Sequence, residues 1–353
     1  MFNLSDILKK NKEEKAKEAR MVNDPGPKEI PPPKKEPIQE VNIASVLNKD
    51  VPEEKIEDSH ILYEEVLAKI KQIYSADLGK SFSIDPGIES LLERINAILA
   101  RNRVRKELLR QCLYDYPIPE DYLFYHVLNS SIISLDLGMG LGYDKPQLIE
   151  LGNASLLHDI GITKYMDIIN MPKKLSAEEF KIIKEHPAVG SDILSNYCKG
   201  LGQKVLETVR QEHERCDGSG YPSGLKGNEI NEYAQILAVA DVYEAMIHDR
   251  PYRKKNTPLQ AINVILNNKG EFNSRIIKVL IERVGIFPVG IKVSLNTKEI
   301  GVVIEENEAL PLRPVVNIIQ DAFGKPLKEV KKIDLAGNPV LYIEDCLEYL
   351  KEG

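Results

Sequence analysis

Hydrophobic positions fall into three regimes along the 353 residues. Up to about residue 58 they are sparse and follow no period. From Ile61 to about Cys112 they recur at helical spacing, first as Ile61, Leu62, Val66, Leu67 and Ile70, then as Ile88, Leu91, Leu92, Ile95, Ile98 and Leu99. Asp85-Pro86 opens the second of these helices with a capping residue and a proline at the first helical position. Between Tyr114 and Val284 the pattern stays helical. Ser176-Ala177-Glu178-Glu179 is a capping box ahead of Phe180, Ile182 and Ile183, and Thr257-Pro258 starts a helix carrying Leu259, Ile262, Val264 and Ile265. After Phe287-Pro288-Val289-Gly290 the period becomes two, with Ile291, Val293 and Leu295, a turn at Asn296-Thr297-Lys298, then Ile300, Val302 and Ile304. Residues 315–319 and 340–343 are expected to add further strands. The predicted fold class is mainly α. A tail spans 1–58, a helical adaptor or input region 59–113, an all-α core 114–284, and a small C-terminal antiparallel β-domain 286–353.

Composition sharpens the ends. Residues 1–58 hold seven of the 21 prolines, 11 Lys or Arg, 13 Asp or Glu and one aromatic, Phe2. Such a segment cannot bury enough apolar surface to offset its ordering entropy, so it reads as a disordered tail. Phe2, Leu4, Ile7 and Leu8 could line an amphipathic turn that engages a partner or a membrane surface, although a solvated leader is the simpler reading. A net charge of -7 argues against a nucleic-acid polymer as partner. Cys112, Cys198, Cys216 and Cys346 form no CxxC pair, so neither a disulfide framework nor a structural zinc site is expected. No apolar run reaches the ~20 residues of a membrane span and the N-terminus lacks a signal-peptide pattern, so a cytoplasmic location is expected.

Chemistry concentrates between His126 and Asp241, where four of the six histidines stand near carboxylates, a proline or a small-residue turn. His158-Asp159 follows the apolar Ala154, Leu156 and Leu157, and a half-buried carboxylate requires a positive partner. Gly161 is expected to end that helix. His186-Pro187 marks a helix entry, and Asp241 lies in the apolar run from Ile236 to Val242 with no basic residue within a turn. Glu212-His213 could equally belong to an exposed helix face. Asp217-Gly218-Ser219-Gly220 is a turn, stiffened by Tyr221-Pro222, of the kind that can bring backbone N–H groups to a phosphate. Imidazoles and carboxylates gathered in this way suit a pair of divalent metal ions, a tool for hydrolysing phosphate esters.

His158-Asp159-Ile160-Gly161, His186-Pro187-Ala188-Val189-Gly190, Glu212-His213-Glu214-Arg215 with Asp217-Gly218-Ser219-Gly220-Tyr221-Pro222, Asp241, and Arg250-Pro251-Tyr252-Arg253 together resemble the HD-GYP family. This is the branch of the HD metal-phosphohydrolase superfamily that degrades cyclic di-GMP. The resemblance covers residues 114–284. It implies one metal held by His126, His158, Asp159 and Asp241, and a second sharing Asp159 with His186, Glu212 and His213. It further implies two divalent ions, iron or manganese, whose bridging hydroxide attacks phosphorus to give linear pGpG or GMP. His158 and Asp159 would be the catalytic pair. Arg250 and Arg253 would contact the substrate phosphates, with Tyr221 and Gly220 flanking the substrate.

Three departures matter. The family's lysine after His-Asp-x-Gly is Ile162 here, with Lys164 two residues on. One of two adjacent histidines is Glu212, still a competent ligand for a hard cation. Tyr122 stands where some members carry a glutamate for a third metal, so two metals are expected. The alternative reading is a catalytically weak receptor or interaction module that binds cyclic di-GMP or a protein, the latter through the tail or the β-domain. A hydrolase for another nucleotide is a third. The helices before the core could mediate homodimerisation.

Overall fold

The structure is a computed structural model that describes residues 53–349, apart from residues 78–81, 84, 85, 172, 174, 250–252, 269 and 308. Phe2, Leu4, Ile7, Leu8 and nearly all of the expected tail therefore lie outside the described residues. Its last stretch does not, because helix α1 (Glu53–Tyr74) begins ahead of the expected boundary. The N-terminal region continues with a two-residue strand β1 (Phe82–Ser83), α2 (Pro86–Leu99) and α3 (Asn102–Gln111). The apolar periods expected for it largely face inward: Leu62, Val66, Ile70, Leu92, Ile95 and Leu99 are buried and join the same core as the helices that follow, whereas Ile61 is exposed.

The helical core then runs through α4 (Tyr122–Gly140), α5 (Lys145–Leu157), a 3-10 stretch at His158–Tyr165, α6 (Met166–Ile169), α7 (Ala177–Ile183), α8 (His186–Tyr197), a two-residue strand β2 (Cys198–Lys199), α9 (Gln203–Gln211), α10 (Glu232–Ile247), α11 (Pro258–Asn267) and α12 (Ser274–Val284). The capping box expected at Ser176 forms, the helix expected to start at Thr257-Pro258 does so with a capping box of its own, and a third box stands at Asp144 ahead of α5. β1 and β2 pair in parallel, Phe82 opposite Cys198, a bridge too short to leave a periodic signal. Helices α4 and α10 occupy the middle. Every residue of α4 from Tyr125 to Gly138 is buried, as is every residue of α10 from Tyr233 to Asp241. A helix surrounded on all sides has no solvent face for ionisable groups, so His126, Asp136, Asp241 and Glu244 must find partners inside.

A five-stranded sheet follows, in the order β6-β5-β4-β3-β7 with antiparallel neighbours. Its strands are β3 (Ile291–Leu295), β4 (Ile300–Glu305), β5 (Val315–Gln320), β6 (Pro326–Asp334) and β7 (Ile343–Tyr349). The β3–β4 turn falls as expected, with Lys298 in the left-handed region (φ 67°). Two expectations change. The last strand starts at Ile343 and not at residue 340, and β6 was not anticipated. With Lys328, Glu329, Lys331 and Lys332 among its residues, this edge strand carries little apolar alternation. Among the described residues no helix is long and apolar enough to cross a membrane, and all four cysteines are free.

Candidate metal centre

Five neighbouring pieces of the helical core deliver the histidines and carboxylates to one place. α4 supplies His126, the start of the 3-10 stretch His158 and Asp159, the first turn of α8 His186, the end of α9 Glu212 and His213, and α10 Asp241. They gather as two groups, His126 with His158 and Asp159, and His186 with Glu212 and His213. Asp159 faces both. Its Oδ2 lies 3.5 Å from His158 Nε2 and 3.8 Å from His126 Nε2, while its Oδ1 lies 3.4 Å from His186 Nε2. Asp241 Oδ1 sits 2.9 Å from His126 Nε2, and Glu212 Oε1 3.3 Å from His186 Nε2. His213 Nε2 is 3.1 Å from His186 Nε2. Donors that share a cation at ~2.1 Å stand roughly 3–3.5 Å from one another, which is this spacing.

The imidazoles are oriented from behind. His158 Nδ1 lies 2.7 Å from the Ser155 carbonyl and His186 Nδ1 2.7 Å from the Ile183 carbonyl, while His126 Nδ1 donates to Glu244. With the proton on Nδ1, each Nε2 lone pair is presented to the shared space, as metal-ligating histidines require. Within it His158 Nε2 and both Glu212 carboxylate oxygens are buried without a hydrogen bond. Orphaned polar groups of this kind cost about 1–3 kcal/mol each unless a ligand satisfies them. The residues fit a divalent pair in charge as well, since the carboxylates of Asp159, Glu212, Asp241 and Glu244 match two dications.

Without a cation, the imidazoles must neutralise that charge. Burial alone would raise Asp159, but His158, His186 and His126 outweigh it and hold the carboxyl below its ordinary range. Asp241 is likewise held low, its burial offset chiefly by His126. Burial dominates at Glu212 and raises it. His186 is pushed down by burial, yet Glu212 and Asp159 lift it to about 9. His213 falls to about 3 through burial and the neighbouring His186.

Gly161 does not end the helix as expected. α5 gives way at His158 to the 3-10 stretch, which runs on to Tyr165. The glycine is needed because a Cβ there would stand 2.1 Å from the His186 carbonyl oxygen and 2.6 Å from Gly190 N. This backbone approach draws the two candidate ligand groups together. Gly220 is also a close approach, its missing Cβ lying 2.4 Å from Arg215 N, so packing explains this glycine without a substrate contact. Tyr221 stacks on His213 with centroids 4.8 Å apart, and Lys184 Nζ lies 4.9 Å from the centre of the Tyr221 ring.

Arg253, expected to contact a substrate phosphate, makes its hydrogen bonds to backbone. Its guanidinium donates to the carbonyls of Ala245, Met246 and Lys254, capping the end of α10. Arg250 lies outside the described residues. Ile162 is buried and Lys164 exposed. Sequence reasoning missed three residues. Glu214 is buried and accepts from Ser223 N (2.6 Å) and Leu225 N (3.0 Å), pinning the Gly-Tyr-Pro loop. Lys184 stands at the rim beside Tyr221. Glu244 backs His126, and its one sequence signal is its position one turn after Asp241 in the same apolar helix.

A helical core whose histidines and aspartates converge between helices defines an HD-type domain, and comparison with known proteins agrees. The HD domain family matches residues 104–276, and a KOW domain associated with HD domain matches residues 292–350. A Pseudomonas aeruginosa protein named cyclic di-GMP phosphodiesterase PA4108 is 30% identical over 292 residues, covering 80% of this chain and 67% of that protein. Cyclic di-GMP phosphodiesterase PdeB of Borreliella burgdorferi is 30% identical, covering 56% of this chain and 52% of its own. The 3'3'-cGAMP-specific phosphodiesterase 2 of Vibrio cholerae is 29% identical, covering 64% and 42%. The match thus spans about two thirds of the first relative and about half or less of the other two. Among solved structures, Bd1817, a HDG"Y"P protein from Bdellovibrio bacteriovorus, shares the fold with a TM-score of 0.53 at 16% identity, covering 68% of this chain and 75% of that one. The chain belongs to the HD-GYP family of the HD superfamily.

Proposed function

We propose that this chain is a metal-dependent phosphodiesterase acting on cyclic di-GMP, which it opens to linear pGpG and on to GMP. The observation that carries this reading is the division of Asp159 between the two histidine groups, one oxygen toward each. In this assignment His126, His158, Asp159 and Asp241 hold one metal, and Asp159, His186, Glu212 and His213 a second, with iron or manganese suiting the mixed N/O set. When bound, such a pair supplies Lewis acidity and a water acidic enough to attack phosphorus at neutral pH. The chain's own residues do the positioning. The backbone carbonyls of Ser155 and Ile183 fix the rings of His158 and His186, and Glu214 holds the loop that presents Tyr221. Lys184, beside Tyr221, supplies the substrate-phosphate charge that Ile162 cannot, and Arg253 is committed to the end of α10. The relatives named for cyclic di-GMP support this substrate over 3'3'-cGAMP.

The test is turnover by full-length protein purified without oxygen and loaded with Fe or Mn. Cyclic di-GMP should be consumed, with two equivalents of metal per chain, and Asp159→Ala should abolish both turnover and paired metal binding. A second reading rests on buried Ile162: a receptor that binds the nucleotide with little hydrolysis. Nucleotide binding without product in the metal-loaded protein would establish the receptor and overturn the enzyme.

A further inference from the structure

Glu244 lies behind the proposed metal site and outside both ligand groups, yet no side-chain carboxylate in α10 is more enclosed. Its Oε2 takes the Nδ1 proton of His126. Its Oε1 accepts from the Tyr116 hydroxyl at 2.7 Å and from Asn129 Nδ2 at 3.2 Å, and lies 3.0 Å from His248 Nδ1. The surroundings hold these partners in turn. Asn129 Oδ1 accepts from the Tyr63 hydroxyl of α1 at 2.7 Å, Tyr116 stacks on His248 with centroids 4.3 Å apart, and His248 Nε2 faces the Tyr114 carbonyl at 3.0 Å.

Of the three buried imidazoles that present Nε2 to the site, His158 and His186 lean on backbone carbonyls of their own turn. His126 alone among them leans on a side chain, and that side chain is anchored by residues from beyond the site. A carboxylate behind a ligating imidazole fixes its tautomer and ring plane and raises its basicity as a donor. We propose that Glu244 is the positioning residue for His126, and that the hydrogen-bonded series Tyr63–Asn129–Glu244–His126 makes metal affinity at the first site depend on α1. The inference rests on the metal assignment above and adds a residue and a route to it.

The experiment is Mn2+ titration of the metal-stripped full chain by calorimetry, comparing wild type with Glu244→Gln. The amide keeps the shape but sets an NH2 group against the donors of Tyr116, Asn129 and His248. The expected result is a ten- to hundredfold loss of affinity at one site only, the range for removing such a partner, with the other site unchanged. A merely structural defect would weaken both sites together. Two sites of wild-type affinity in the variant would overturn the role of Glu244 and leave the metal assignment standing. A wild-type chain that takes up no Mn2+ would overturn the metal assignment itself, and this inference with it. Should Glu244→Gln fail to fold by circular dichroism, Tyr63→Phe decides, since it removes the α1 hydroxyl that donates to Asn129 and keeps the ring. Several-fold weaker Mn2+ binding at one site supports the proposal, and unchanged binding overturns it.

Discussion

At position 161 one added methyl group would strike two backbone atoms that cannot retreat, because both belong to the first turn of α8 and the next. A Cβ 2.1 Å from the His186 carbonyl must move that helix, and with it the ring whose Nε2 lies 3.4 Å from Asp159. Gly161→Ala should therefore cost about 2–4 kcal/mol, in the upper range for a single substitution. It should also halve the metal content by separating the groups. Thermal unfolding and metal analysis check this, and a stable variant with two equivalents of metal would refute it. At the mouth of the site, Lys184→Ala should raise KM for cyclic di-GMP about tenfold with little change in kcat, and Lys184→Arg should restore it; steady-state kinetics decide. Residue type and spacing made Asp159 and Asp241 stand out in the sequence, because a carboxylate in or beside an apolar run demands a partner, and Pro187 marked His186 as a helix entry. Glu244 escaped notice because its meaning comes from Tyr116, Asn129 and His248, which only the folded chain brings to it. The bonds Arg253 makes were hidden for the same reason: the carbonyls it caps are a property of where α10 stops.

Between elements, a buried ion cluster ties the N-terminal region to both ends of the helical core. Asp136 on α4 is fully buried, 3.3 Å from Arg105 Nη1 on α3 and bonded to Arg283 on α12, while Arg105 also donates to the Arg283 carbonyl at 2.9 Å. Burial raises the carboxyl despite Arg283 and Arg105, the mark of a pair whose desolvation is only partly repaid. Such a cluster adds little net stability, but removing one member leaves an uncompensated charge. Asp136→Ala is expected to cost about 3–5 kcal/mol, whereas replacing all three members by apolar residues of similar size should cost far less. Chemical denaturation of the two variants compares them. The helices themselves were legible, since the capping box at Ser176, the Thr257-Pro258 start and apolar periods are local signals. β6 was not, because an edge strand faces solvent and can be polar throughout, so its identity comes from pairing with β5. The β7 start was displaced for a related reason. Val340, Leu341 and Tyr342 look like strand, but Val340 and Tyr342 are exposed and the ladder to β3 begins at Ile343.

Across the whole molecule, the candidate ligands are drawn from α4, the 3-10 stretch, α8, α9 and α10, so the site and the helical core cannot be assembled separately. In an unfolded chain His126 and Asp241 are separated by more than a hundred residues, and nothing holds seven donors together. Each metal of the pair therefore binds the folded state almost exclusively and stabilises it by RT ln(1 + [L]/Kd), about 2.7 kcal/mol per site at a free concentration of 100 Kd. For a domain of this size that corresponds to a rise in Tm of about 5–10 °C for each site filled. The apo protein should also be the more strained of the two, because the buried Glu212 oxygens and His158 Nε2 accept or donate no hydrogen bond among the described residues. Calorimetric scans of the Mn-loaded protein, with and without chelator, should show this drop. Asp159→Ala should unfold at the same temperature with or without chelator, since the oxygen pair facing both histidine groups is gone. A wild-type Tm that ignores chelation would mean that these buried donors are satisfied without a metal.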